Sequence, residues 1–245
     1  MSIEAAAQLI VEARRAHTTL ARLPKSCRLG SEADGYAVQK AVAGTLGLAV
    51  AGWKVAARSS NSGVAAPIFA GTVHQAPVTL PHVNALETEI AFKLKHDLPV
   101  RYRQPYSRQE ILNAIQSVAL AFELVDWRLT AVDLDVPERV ADCFANAGLV
   151  LGLERPFIGD ISSPVKELSL FRDQTPEPFQ AKDIDPVESI RAYVNYGGDT
   201  LGGLKAGHWV ITGSLSGIQK VSCPETWTAR WREELEVSLR IAARS

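Results

Sequence analysis

The spacing of apolar and polar positions changes period several times along the chain, and each change marks an element. Ile3 to His17 repeats its apolar residues at helical intervals. A second helix opens at Ser31, whose hydroxyl is suited to the first free N–H groups, and runs through G-Y-A-V-Q-K-A-V-A-G (35–44). From Ala49 the period falls to two, with Trp53, Val55 and Ala57 alternating with Lys54, Ala56 and Arg58. The stretch S-S-N-S-G-V-A-A-P (59–67) is expected to be a loop, and A-L-E-T-E-I-A-F-K-L (85–94) a strand. Ser107 and Glu110 have capping-box spacing for a helix expected to reach Leu120. A strand through A-F-E-L-V-D-W (121–127) follows, with Glu123 and Val125 on one face and Leu124 on the other.

Beyond it, the pattern predicts a short helix around Arg139 to Asn146 and a buried strand at L-V-L-G-L (149–153). Asp185 and Pro186 start a helix that should end near Gly197 and Gly198. H-W-V-I-T-G-S (208–214) is a strand entering a tight turn; T-W-T-A-R-W (226–231) and E-L-E-V-S-L-R-I (234–241) alternate like antiparallel strands. Helices gather early and between strands, which gives an α+β class in place of a regular βαβ repeat.

With 245 residues, no internal repeat and no linker-like tract, the expected organisation is a single domain over 1–245, in which a helical region (1–48) packs on a β-rich body (49–245). A formal net charge of −1 gives no reason to expect nucleic acid or an anionic membrane as partner. No apolar run approaches the ~18 residues of a transmembrane helix, and the N-terminus mixes both charge signs at helical spacing, as a helix of the mature protein would. Cys27, Cys143 and Cys223 are odd in number and lack metal-type spacing, so a reducing, cytoplasmic location is expected.

The chemistry concentrates in a few places. Glu87 and Glu89 are two apart on a strand and share a face, which holds like charges together unless a cation lies between them. If the helix after them returns the chain to the same sheet, Glu123 joins them, and three carboxylates suit a hard ion, Mg²⁺ or Mn²⁺. The plainer alternative is a solvated strand face, against which stand the apolar neighbours of Glu123: Ala121, Phe122, Leu124 and Val125. Lys54 and Arg58, four apart, share a face around small Ala56. They are either a proton donor and anion anchor or a solvated basic edge. In I-T-G-S-L-S-G (211–217), Thr212, Gly213 and Ser214 form a turn able to hold a carboxylate. No zinc spacing, nucleophile elbow, P-loop or dinucleotide fingerprint occurs. His74 and His82 are expected in loops or core, and Trp209, Trp227 and Trp231 in core or subunit contacts.

Six segments in order extend this reading: D-G-Y-A-V-Q (34–39), G-W-K-V-A (52–56), L-E-T-E-I-A-F-K-L (86–94), A-F-E-L-V-D (121–126), A-D-C-F-A-N-A-G-L-V-L-G (141–152) and L-K-A-G-H-W-V-I-T-G-S (204–214). Together they resemble the hydratase/decarboxylase branch of the fumarylacetoacetate hydrolase superfamily, which includes 2-hydroxypenta-2,4-dienoate hydratase, 2-oxohept-4-ene-1,7-dioate hydratase and 4-oxalocrotonate decarboxylase. The resemblance implies a mixed, curved β-roll of the fumarylacetoacetase C-terminal type with N-terminal and peripheral helices, usually in homo-oligomers. It implies Glu87, Glu89 and Glu123 as ligands of one Mg²⁺ or Mn²⁺, Lys54 as the family lysine, and Thr212, Gly213 and Ser214 as the carboxylate turn. Arg58 invites a further contact to a dicarboxylate substrate.

The implied activity is a metal-dependent hydro-lyase acting on a 2-hydroxy-dienoate or related 2-oxo acid from aromatic-compound catabolism. Rivals are a 4-oxalocrotonate-type decarboxylase, acylpyruvate hydrolysis, and a catalytically silent paralogue that partners an active homologue. The chain departs from the family at Ala56, at Ile68 of P-I-F-A where an acid is expected, at His208, and at Cys143 and Phe144.

Overall fold

The computed structural model describes residues 3–159, 161, 163–198 and 200–243. Helices α1 (Ile3–Ala16) and α2 (Glu32–Leu46) precede a hairpin of β1 (Val50–Ser59) and β2 (Ser62–Phe69). Short strands β3 (Val73–Gln75) and β4 (Val78–Leu80) lead to the long β5 (Ala85–Leu94). Next come α3 (Arg108–Ala114), β6 (Ile115–Val125), α4 (Val136–Ala141) and β7 (Asn146–Leu151). Strands β8 (Arg155–Pro156), β9 (Leu168–Arg172) and β10 (Thr175–Pro176) are followed by α5 (Pro186–Tyr196). The chain closes with β11 (Trp209–Ile211), β12 (Gln219–Lys220), β13 (Glu225–Trp231) and β14 (Leu235–Ile241).

Among the described residues these strands form two mixed sheets. The larger runs β2-β1-β11-β5-β6-β7-β3, with β12 added on β5 and β8 on β6; the smaller runs β10-β9-β13-β14-β4. Parallel pairs (β1 with β11, β3 with β7, β14 with β4) interrupt otherwise antiparallel ladders. Trp53, Phe92, Phe122 and Trp227 belong to one continuous apolar core that draws on both sheets. The architecture is the curved α+β roll expected from the sequence. No helix among the described residues is long and apolar enough to cross a membrane.

The N-terminal helices are tied to this body in two ways. Apolar residues of α1 and α2 share a cluster with Leu129 and Ala141. Fully buried Gln39 donates from α2 to the carbonyl of Val140 at 2.6 Å, and the Tyr36 hydroxyl accepts from the Ala65 N–H at 3.3 Å. Ser31 caps α2 as expected: its hydroxyl accepts from the Asp34 N–H, and the Asp34 carboxylate accepts from the Ser31 N–H.

Three local expectations are corrected. Most of 59–67 is not a loop, because Ser62–Phe69 is a buried strand. Its small residues answer to packing: a Cβ on Gly63 would lie 2.4 Å from the backbone nitrogen of Tyr193, so α5 crosses directly over the strand. The helix opened by Ser107 stops at Ala114, and 115–120 belong to β6, where pairing from Leu94↔Ile115 onward takes the backbone extended along β5. The helix expected at 139–146 is instead α4, ending at Ala141, followed by a left-handed turn at Cys143, Phe144 and Ala145 (φ 54°, 49° and 63°).

Candidate metal centre

Strands β1, β5, β6 and β7 of the larger sheet bring side chains to one point, and the turn after β11 adds a backbone N–H. Strand β5 puts Glu87 and Glu89 on one face, and β6 sets Glu123 directly opposite Glu87. Each carboxylate offers one oxygen, and these oxygens lie within 4.8 Å of one another. Glu89 and Glu123 have no exposure and Glu87 only 8%, which removes the solvated-face reading.

The three acids are oriented by different partners. Glu123 accepts from Asn146 Nδ2 at 2.9 Å through Oε1, and from Lys54 Nζ at 2.6 Å through Oε2. Lys54 reaches Glu87 Oε2 at 3.4 Å. Glu89 Oε2 accepts from the Gly213 N–H at 2.7 Å, whereas its Oε1 is buried with no hydrogen-bond partner. Burial pushes the Glu89 carboxyl well above the usual carboxylate range, and repulsion from Glu123 adds to it. Burial also raises Glu123, against the pull of Lys54. For Lys54, burial opposes the charged form, but attraction to Glu123, Glu87 and Glu89 outweighs it and raises the ammonium pKa.

Fully ionised, three carboxylates and one ammonium leave two negative charges uncompensated in a dry pocket, where uncompensated charge is costly. A divalent cation would neutralise them. The all-oxygen donor set suits Mg²⁺ or Mn²⁺, and the orphaned Glu89 Oε1 is a ready donor atom. The residues therefore fit the expected ion.

The Thr212–Ser214 turn leads out of β11, and the carboxylate its backbone holds is that of Glu89. Gly213 has φ 115°, a conformation that disfavours a side chain. The hydroxyls of Thr212 and Ser214 are buried without partners. Arg58 is not brought to this site. The β1–β2 register slips between Ala57 and Ser59, and Arg58 bonds Glu32 at 2.5 Å and the Ser62 hydroxyl at the exposed hairpin end. Ile68 is fully buried in a dry layer with Ala91, Ala121 and Leu149. His208 serves local structure: its Nδ1 accepts from Trp53 Nε1 and from the Lys205 N–H, both at 3.2 Å.

Two features escaped the sequence reading. Asn146 holds Glu123 from the first position of β7. Arg128 and Asp142 form a buried ion pair at 2.5 Å that fastens the segment after β6 to the end of α4. Both lie in quoted or adjacent segments, but only their neighbours in space reveal their roles. Beside the acids opens a cavity of about 670 Å³, lined by Lys54 and Glu87 together with Val125, Trp127, Leu129 and Phe144.

No protein-family model matches the sequence, and comparison with curated proteins finds no relative. Solved structures do match. The 4-oxalocrotonate decarboxylase of Pseudomonas putida G7, complexed with magnesium and adipate, is similar over 98% of this chain and 97% of its own, with a TM-score of 0.80 and 16% identity. Fumarylpyruvate hydrolase from Pseudomonas aeruginosa, complexed with Mn²⁺ and pyruvate, covers 78% of this chain and 88% of its own (TM-score 0.51, 16% identity). The 2-hydroxyhepta-2,4-diene-1,7-dioate isomerase of Mycobacterium marinum covers 81% and 78% (TM-score 0.51, 14% identity). The chain thus has the fold of the fumarylacetoacetate hydrolase superfamily, and nearly its whole length follows the form found in 4-oxalocrotonate decarboxylase.

Proposed function

We propose that this protein is a metal-dependent lyase of 2-oxo acids, and specifically a hydro-lyase that adds water to a 2-hydroxy-dienoate. The observation that carries this reading is the buried Glu87–Glu89–Glu123 cluster, with Lys54 facing both the cluster and the cavity. The magnesium and Mn²⁺ in the solved structures of the same fold support it. When bound, a divalent ion supplies Lewis-acid stabilisation to the 2-oxo group and a seat for the chelating end of the substrate.

The chain's own residues supply the rest. Glu87, Glu89 and Glu123 would hold the ion, with Asn146 and Gly213 N–H fixing the second oxygens of two of them. Lys54, held as an ammonium, gives a proton to C5 as the enol proton leaves. The resulting amine then takes a proton from the water adding at C4, and an equivalent of the enol proton returns at C3, so one water is consumed. Apolar cavity walls limit competing solvent.

Hydration is preferred to decarboxylation because the 4-oxalocrotonate reaction starts from a dicarboxylate, and Arg58, the basic residue proposed for its second carboxylate, points elsewhere. The test is direct: the purified protein with Mg²⁺ is given 2-hydroxypenta-2,4-dienoate, followed by loss of dienol absorbance, and separately 4-oxalocrotonate, followed by CO₂. Hydration without CO₂ supports the reading. Release of CO₂ without hydration replaces it with the decarboxylase. Intact Mg²⁺ binding without turnover of either compound, or of a panel of 2-hydroxy-dienoates with longer distal groups, favours the silent paralogue.

A further inference from the structure

The cavity beside the acids is larger and more apolar than a five-carbon 2-oxo acid requires. Its volume of about 670 Å³ lies in the range of pockets that enclose ligands of drug size. Apart from Lys54 and Glu87, its wall is chiefly Val125, Trp127, Leu129, Leu134, Phe144 and Ile218. The charged groups that also line it are committed or exposed. Asp142 is paired with Arg128. Arg139 donates to the carbonyls of Leu134 and Val132, holding the rim together. Lys220 is exposed on β12.

The way Phe144 reaches this wall is itself unusual. Cys143, Phe144 and Ala145 are three successive non-glycine residues with left-handed backbone, a conformation that crowds Cβ against the carbonyl. The turn is held at both ends: the Ala145 N–H donates to the Asp142 carbonyl at 3.0 Å, and the Ala145 carbonyl accepts from the Asp126 N–H at 2.9 Å. One residue further, Asn146 bonds Glu123. Strain kept in this way is characteristic of functional sites. Here it sets an aromatic ring in the cavity at a fixed distance along the chain from the acid cluster.

We propose that the site takes a 2-oxo acid, or the matching 2-hydroxy-dienoate, whose distal part is an alkyl or aryl group, with Phe144 and Trp127 as specificity-determining contacts that disfavour a second carboxylate. The proposal rests on the metal-dependent 2-oxo-acid reading above. It is tested by calorimetric titration of the Mg²⁺-loaded 245-residue protein with oxalate, 2-oxobutanoate, 2-oxooctanoate and 2-oxoadipate.

The expected result is that 2-oxooctanoate binds at least about tenfold more tightly than either 2-oxobutanoate or 2-oxoadipate, since each buried methylene adds to affinity. Phe144→Gly eases the left-handed backbone while removing the ring. It should erase most of that preference and leave oxalate affinity within about twofold. Trp127→Leu, on a different segment, should act in the same direction. Oxalate binding with 2-oxoadipate equal to or tighter than 2-oxooctanoate overturns the proposal, as does a preference untouched by both variants. Absence of Mg²⁺-dependent oxalate binding overturns the underlying 2-oxo-acid reading, and the substrate proposal with it.

Discussion

The Lys54 ammonium lies 2.6 Å from Oε2 of Glu123, a carboxylate with no solvent exposure, and the same nitrogen reaches Glu87 at 3.4 Å. The lysine is thus a built-in counter-ion for two of the three acids that would share a metal. Its side chain is only 15% exposed, so its removal strands charge in a dry place. In metal-free protein Lys54→Met should destabilise by roughly 3 kcal/mol, the low end of the range for breaking a buried pair, because Glu123 can take up a proton. Mg²⁺ should restore much of the loss. In the loaded enzyme kcat should fall far more than Mg²⁺ affinity, because the lysine is proposed to act on substrate. Urea unfolding with and without Mg²⁺, set beside steady-state kinetics, checks both parts. Unchanged kcat would remove Lys54 from the chemistry.

Glu123 is the acid on which the cluster closes, since it is the one contributed by the second strand. Glu123→Gln keeps the shape and the bond from Asn146 in altered form but removes an anionic donor. It should weaken Mg²⁺ at least about tenfold and abolish turnover. Asn146→Ala, which leaves the Glu123 carboxylate held by Lys54 alone, should weaken the ion about tenfold to a hundredfold, the usual effect of an orienting partner. Mg²⁺ titration by calorimetry compares them, and an Asn146 variant with wild-type affinity would show that the orientation of Glu123 comes from elsewhere.

The legibility of this centre in the sequence follows from period. A strand repeat of two places Glu87 and Glu89 on one face whatever the rest of the fold does, and the apolar flanks of Glu123 mark it as a buried acid. The pairing of Glu87 with Glu123 depends on the register of β5 against β6, which only the structure shows; the segment resemblance implied that the three acids share one ion, not how the strands align. Arg58 misled because its regular alternation ends in a register slip that only the β1–β2 pairing shows. Gly63 misled because small residues mark loops and close crossings alike. Phe144 carries no signal of its left-handed turn, since nothing in the residue favours one.

The glycines give a prediction of opposite signs. A Cβ on Gly63 meets the backbone of Ala192 and Tyr193 at 2.4 to 2.5 Å, so α5 or β2 must move. Gly63→Ala should destabilise by about 1–3 kcal/mol, as overpacking does. Gly44 lies within α2 with nothing in the way of a Cβ, so Gly44→Ala should stabilise by up to about 1 kcal/mol. Urea midpoints of the two variants test the crossing; a harmless alanine at 63 would mean that α5 does not press on β2.

Glu89 links the centre to pH. Its folded pKa stands well above the unfolded value of 4.5, first because burial penalises the anion. Between those two values the folded state keeps a proton that the unfolded chain releases, so folding stability falls as pH rises through that window. This is opposite in sign to the usual salt-bridged carboxylate, whose contribution is lost on acidification. In EDTA, wild-type protein should therefore lose thermal stability relative to Glu89→Gln as pH is raised from 4.5 towards 8. With Mg²⁺ the trend should reverse, since the ion takes the deprotonated carboxylate and its affinity grows with pH. The charge balance of the cluster predicts the reversal: an ion that supplies the two missing positive charges removes the reason for Glu89 to stay protonated. Thermal midpoints of both proteins across this pH range, in each condition, measure it. Parallel curves for wild type and Glu89→Gln in EDTA and in Mg²⁺ would show that Glu89 neither holds the extra proton nor exchanges it for a cation.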